Sequence, residues 1–356
     1  MSVMKVVIAI DSLKGCLSSI EANQAAAEGI RSKCPDAEIV EVPVSDGGEG
    51  FLEAFHAAIG GQRVAVTVRD PLMRRIRGNY LLQGQTAVIE IAQASGLTLL
   101  AADERNPLVA TSYGTGQMVA HAIRQGATHV VVGLGGSATS DAGIGMLRAL
   151  RDAFARHGTW DDMQEPLKSL RFTIASDVRN PLCGNNGAAH VFGPQKGATA
   201  EMVARLDERA RKFAEVSARH FGFDRSTEPG AGAAGGLGYA FMQYLRAECV
   251  SGIDLLLDAI HFEQLARDAD LIITGEGSAD RQTLMGKLPM GILEHAGSTA
   301  VALIAGRIAD RERLLQAGFA HVECINPPGL PLAEAMRQEV ARRHIGQTVS
   351  RLLARL

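Results

Sequence analysis

The chain has 356 residues, room for two domains at roughly 100–200 residues each, and 46% of it is hydrophobic, which excludes a disordered chain. Its net charge of −3 lacks the basic footprint of a nucleic-acid binder, and its five cysteines, odd in number and never in C-x-x-C spacing, argue against a disulfide framework or a zinc site. No apolar run approaches the roughly 20 residues of a membrane helix, and VVIAI from residue 6 leaves no room for a signal peptide, so a soluble cytoplasmic protein is expected.

VVIAI at 6–10 predicts a buried strand, and Ser18 with Glu21 predicts a capping box opening a helix from about Ser19 to Lys33. The loop between them, DSLKGCL, carries Lys14. Only seven lysines stand against 29 arginines, and three of them, Lys14, Lys196 and Lys287, sit beside glycine. A second unit runs as a strand from Ile39 to Val44, turns through SDGGEG, and continues as a helix closed by Gly60 and Gly61. Repeated strand, turn and helix predict a parallel sheet. Asp46 and Glu49 would then stand just past a strand's C-terminal end, where open α/β sheets bind ligands. The plainer reading of Asp46 is a helix N-cap.

From about 63 to 261 the pattern changes. Alternating VAVTV and TAVIEIA, the apolar HVVVGLG and several long glycine turns predict an inserted domain. Leu271–Thr274, Ala300–Ala305 and His321–Ile325 then return to the style of the first two strands.

Glycine is in surplus, with 39 residues, and 21 of these fall in five short segments: 46–50, 133–145, 184–197, 230–238 and 275–291. Backbone N–H groups in such turns approach anions closely, so the segments are candidate phosphate or carboxylate sites, against the plain reading of tight turns. GLGGSATSDAGIGM offers Gly135, Gly136, Ser137 and Thr139 to phosphate oxygens, with Asp141 as a carboxylate beside them. Asp177 follows the apolar FTIA, and Lys196 in FGPQKGA is a candidate phosphate clamp. PGAGAAGGLG, with Gly232, Gly235 and Gly236, contains a literal G-x-G-x-x-G, yet FGFDRSTEP before it is not a strand, so the dinucleotide reading fails on context. A phosphate-contacting loop or a close packing site remains. Glu276 and Asp280, placed at the end of the strand LIIT with Lys287 behind them, suit Mg²⁺. Walker A, protein-kinase and G-x-S-x-G signatures are absent.

In order along the chain, DSLKGCLS, VPVSDGGEG, IEIAQASGL, RNPLVATSYGTG, GLGGSATSDAGIGM, SDVRNPLCG, FGPQKGA, PGAGAAGGLG and TGEGSADRQT together resemble the bacterial glycerate kinase family, from about residue 5 to 306. The chain departs from the family pattern at Ser45, Phe51, Ser140 (usually Asn), Ala142 (usually Gly), Ser176, Ser278 and Ala279. Its acidic and lysine positions are intact.

The resemblance implies an α/β fold in which a Rossmann-like parallel-sheet domain (1–62 and 262–356) carries a second α/β domain (63–261), with a cleft between them. It also implies ATP-dependent phosphorylation of D-glycerate, favouring the 2-hydroxyl over the 3-hydroxyl. From residue type and loop position, the loops at 133–145 and 230–238 with Lys196 or Lys287 are expected to hold ATP, and one or two of Asp177, Glu276 and Asp280 to hold Mg²⁺. Lys14, Arg105 and Glu49 are expected to bind glycerate, and Asp46 or Asp141 to accept the hydroxyl proton. A homodimer is kept as an expectation, with no nucleic-acid or membrane partner. The competing classes are a dinucleotide-dependent oxidoreductase and a non-catalytic sensor on a kinase-like scaffold.

Overall fold

The computed structural model describes residues 3–45, 47, 48 and 50–355. Strands β1 (Lys5–Ile10) and β2 (Glu38–Glu41) come first. The middle of the chain holds β3 (Gln62–Arg69), β4 (Arg75–Gln83), β5 (Thr86–Glu90), β6 (His129–Gly133), β7 (Arg171–Ala175) and β8 (Glu248–Val250). β9 (Leu271–Ala279), β10 (Val301–Ile308) and β11 (His321–Cys324) follow. Two compact units result: unit 1 comprises Met1–Asp46, Glu53–Ile59 and Ile253–Leu356, and unit 2 comprises Gly47–Leu52 and Gly60–Gly252.

Unit 1 is built on a five-stranded sheet in the order β11-β10-β9-β1-β2, and every pairing is parallel. Val6 to Ile10 are at most 1% exposed, as a strand covered on both faces requires. The helix Ser19–Arg31 begins with the expected Ser18/Glu21 capping box but stops two residues before Lys33. It lies close against the helix Gln338–Leu353, because a Cβ on Gly29 would stand 2.4 Å from the Gly346 carbonyl oxygen. β2 is shorter than the expected Ile39–Val44. Val42 N–H still donates to Ile8 O at 2.8 Å, but Pro43 has no N–H with which to continue the ladder. Buried Asn23 joins the two strand ends, accepting from Ile10 N–H at 3.0 Å and donating to Val42 O at 2.8 Å.

Strand order leaves the β1/β9 pair in opposite directions, so the crevice at their carboxyl ends is the topological switch point where such sheets bind ligands. β9 is longer than the expected Leu271–Thr274. Its pairing with β1 stops at Ile10↔Gly275, whereas pairing with β10 continues to Ile308↔Ala279. Past Gly275, therefore, the β9 edge toward β1 carries no strand. Glu276 lies inside this extension rather than in a loop after it.

Unit 2 holds a mixed six-stranded sheet in the order β3-β4-β5-β6-β7-β8, antiparallel in its first two pairings and parallel from β5 to β8. Its core gathers Tyr80, Ile89, Val130, Met146, Phe172, Leu237 and Phe241. Helices Tyr113–Arg124 and Ile144–Phe154 cross tightly, a Cβ on Gly116 falling 2.4 Å from Met146 O. Among the described residues no helix is long and apolar enough to cross a membrane.

Candidate active site

Asp46 and Glu49, expected as base and substrate ligand, lie outside the described residues. The other expected residues fall into one group in each unit.

In unit 1 the group stands at the switch point. Glu276 is 7% exposed; its Oε1 accepts from Thr283 Oγ1 at 2.5 Å and its Oε2 lies 3.3 Å from Lys287 Nζ. Burial raises its carboxyl above the usual carboxylate range, while Thr283 and Lys287 oppose the shift. Asp280 Oδ1 accepts from Gln282 N–H at 2.7 Å, and Asp280 N–H donates to Thr283 Oγ1 at 2.9 Å. Glu276, Asp280 and Lys287 are thus brought together. Thr283, which sequence reasoning missed, links them; its signal is a hydroxyl three residues after Asp280 in DRQT. Lys14 stands exposed on the loop leaving β1, which is closed by reciprocal Leu13/Leu17 backbone bonds of 2.8 and 3.0 Å.

In unit 2 four glycine-bearing segments converge on the ends of β6 and β7. Gly135 N–H donates to Gly47 O at 2.9 Å, and Ala142 N–H to Gly235 O at 3.0 Å, joining the segments at 47, 133–145 and 230–238. From the fourth, Lys196 reaches in and donates to Thr139 O at 2.6 Å. This side chain is 3% exposed, and desolvation pushes its amine down to about 7, with Asp141 acting in the opposite sense. Arg105 adjoins it, since a Cβ on Gly197 would lie 2.5 Å from Arg105 O.

The individual residues of this group have the following neighbours. Gly232, Gly235 and Gly236 are buried against backbone: a Cβ would meet Pro181 O at 2.3 Å, Thr139 O at 1.9 Å and the Ala142 Cα at 2.7 Å respectively. Ala234, Gly235 and Gly236 are successive left-handed residues, and no strand precedes them. The geometry is a tight packing turn that holds the 139–142 backbone, not a dinucleotide turn. The hydroxyls of Ser137 and Thr139 lie 3.0 Å apart and bond each other. Asp141 Oδ2 accepts from Ser112 N–H, Ser112 Oγ and Gly145 N–H at 2.9 to 3.0 Å, and Oδ1 accepts from Gly143 N–H at 3.1 Å. Such a carboxylate anchors the loop to the start of the helix Ile144–Phe154. Asp177 Oδ1, past the end of β7, accepts from Gly252 N–H at 3.3 Å.

Ser140 Oγ and Arg105 Nε are buried with no hydrogen-bond partner among the described residues, and Lys196, with its several protons, has the single acceptor Thr139 O. Glu90, a further residue that sequence reasoning missed, is 5% exposed at the end of β5 and accepts from Leu52 N–H at 3.2 Å. Its signal was a lone acid in the apolar run IEIA.

Among the described residues no three His, Cys, Asp or Glu side chains cluster as a metal cage. Mg²⁺ needs only one or two protein carboxylates and draws its remaining oxygens from phosphates and water. Glu276 and Asp280, four residues apart at the end of β9, fit that donor set.

The chain matches the glycerate kinase family over residues 6–356. It is 40% identical over 354 residues to the glycerate kinase of Bacillus subtilis (strain 168), covering 93% of each chain. It is 43% identical over 328 residues to the glycerate 2-kinase of Escherichia coli (strain K12), covering 86% of each. The crystal structure of a protein of Salmonella typhimurium LT2 provisionally named glycerate kinase 2 is similar at a TM-score of 0.82 and 37% identity, covering 99% of this chain and 98% of that one.

Proposed function

The chain belongs to the glycerate kinase family and is a kinase, and from that premise we propose that it transfers the γ-phosphoryl group of ATP to the 2-hydroxyl of D-glycerate. The observation that carries this reading is the set of buried donors in unit 2: Ser140 Oγ and Arg105 Nε have no hydrogen-bond partner among the described residues and Lys196 has the single acceptor Thr139 O, so an anion would supply the missing acceptors. Phosphoryl transfer asks mainly for positioning and charge neutralisation, and this loop is suited to both.

Lys196 and Arg105 are assigned to the charge of the bound phosphates, with the backbone of Gly136 approaching them, whereas Gly135 N–H is held by Gly47 O. The glycines at 232, 235 and 236 act by holding that loop from behind. Lys14 is assigned to glycerate's carboxylate. Glu276 and Asp280 would hold Mg²⁺, which supplies positive charge when bound. Because Asp141 is already saturated with donors, accepting the hydroxyl proton falls to Asp46, on the strength of its place in SDGGEG.

The test is direct. Purified protein with ATP, Mg²⁺ and D-glycerate should yield ADP and a product whose ³¹P–¹H coupling places phosphate on carbon 2. Phosphate on carbon 3 would refute the positional assignment, and absence of ATP turnover by folded protein would refute the reading as a whole. Asp46→Asn turning over at the wild-type rate would remove that residue as base.

A further inference from the structure

A cavity of about 760 Å³ opens in unit 1 at the carboxyl ends of β10 and β11, roofed by the helix Gln338–Leu353. It lies beyond the β1/β9 switch point and contains none of the residues assigned above. Its volume falls in the range of small-molecule sites, about 300–1,000 Å³.

The lining is strongly basic in a chain whose net charge is −3. Arg307, Arg311, Arg351 and Arg355 all border it, with Glu323 between them. Glu323 Oε1 is shared by Arg311 at 3.5 Å and Arg355 at 3.2 Å. Arg307 and Arg351 make no ion pair among the described residues. Among the residues bordering the cavity one carboxylate thus stands with four guanidinium groups, and it pairs with two of them. Guanidinium forks match phosphate oxygens in geometry and charge.

The floor is preformed. Asn326 Nδ2 donates to Gly306 O at 2.8 Å, and Asn326 Oδ1 lies 3.0 Å from His344 Nδ1, tying the end of β10 to the roofing helix. At the mouth Leu332 is 76% exposed, an uncovered apolar side chain beside the arginines. That pairing favours an anion with an organic body over a bare inorganic ion.

We propose that this cavity is a second ligand site, which takes a small organic phosphate monoester through Arg307 and Arg351 and is separate from the site of the nucleotide consumed in the reaction. Occupancy there would bear on the helix Gln338–Leu353 and on the ends of β10 and β11.

Cys324 supplies a reporter. It is the exposed cysteine on the cavity wall, whereas Cys16 is buried, and burial pushes the Cys183 thiol up to about 12. The rate of Cys324 alkylation by iodoacetamide, followed by peptide mass spectrometry, is measured with 2-phosphoglycerate, 3-phosphoglycerate, phosphoenolpyruvate, glycerol phosphate, inorganic phosphate, ATP and acetate at one ionic strength. At least one monoester should slow alkylation about fivefold or more at millimolar concentration, as expected for a site mostly filled there. That protection should vanish in Arg307→Ala/Arg351→Ala, whose thermal unfolding should match the wild type. Protection by acetate or inorganic phosphate alone, by none of the ligands, or persisting in the double variant overturns the proposal. Protection by ATP over the range of its KM overturns it too, because the cavity would then be the reaction's own nucleotide site.

Discussion

Lys196 Nζ donates to the Thr139 carbonyl oxygen at 2.6 Å from a side chain only 3% exposed. The protein therefore keeps an ammonium-bearing residue in its interior with one acceptor, an arrangement that costs stability until an anion arrives.

That cost has a pH signature. Desolvation sets the folded amine at about 7, against 10.5 for the ordinary group. Between those values the unfolded chain binds more protons than the fold, so the unfolding free energy should rise as pH increases from about 7 toward 10.5. Below pH 7 the penalty is fully present, on the order of a few kcal/mol. Urea midpoints across this window should climb for the wild type and climb less for Lys196→Met. Equal slopes would show that the amine is not desolvated.

Asp141→Asn should unfold more readily, by about 2–4 kcal/mol, because an amide cannot accept from Ser112, Gly143 and Gly145 together and sets an N–H₂ against N–H donors. Chemical denaturation reads this directly. A variant of wild-type stability without turnover would return Asp141 to the role of catalytic base.

Two substitutions at the packing turn should act in opposite directions. Ala142 sits at φ +52, a left-handed conformation that glycine adopts without a Cβ penalty, so Ala142→Gly should be neutral or stabilise by up to about 1 kcal/mol. Gly235→Ala should cost more than about 3 kcal/mol, because its φ is +68 and the new Cβ would stand 1.9 Å from Thr139 O. Denaturation midpoints shifting in the same direction for both would count against the packing role.

Glu276→Gln tests the acidic pair. Burial raises the Glu276 carboxyl above 4.5, so its ionised form burdens the fold once pH exceeds the unfolded value, and the neutral amide removes that burden. Thr283 can still donate to the remaining oxygen. Stability at pH 7 should stay within about 1 kcal/mol of the wild type or exceed it, while turnover should fall by about 100-fold or more. Steady-state kinetics showing an unchanged kcat would remove Glu276 from the metal assignment.

The alternation of strand and glycine turn made unit 1's sheet and the insertion of a second sheet legible, since fully apolar runs such as VVIAI have few other uses. β4 was not legible. In RIRGNYLLQ the arginines alternate with apolar residues, but Gly78 and Leu81 interrupt the period-2 pattern, and the strand's place depends on pairing with β3 and β5. The end of β9 was hidden for a related reason: GEGSA reads as a turn, and only the register with β10 keeps it extended. At the site, residue type indicated where chemistry gathers but not who bonds whom. Ser137 and Thr139 satisfy each other, Asp141 serves its own loop, and the glycines at 232, 235 and 236 leave room for neighbouring backbone; each relation depends on contacts distant in sequence.

The pairing of β1 with β9 also governs the order of assembly during synthesis. Lys5 N–H closes onto Asp270 Oδ2 across 265 residues, so at about 5–20 residues per second β1 waits roughly 10–50 s for its neighbour to leave the ribosome. All of unit 2 is translated in that interval. Until then VVIAI, buried on both faces in the finished sheet, can pair only with β2 and keeps one bare edge. A nascent chain halted before Leu271 would leave the β9-facing edge of β1 unpaired.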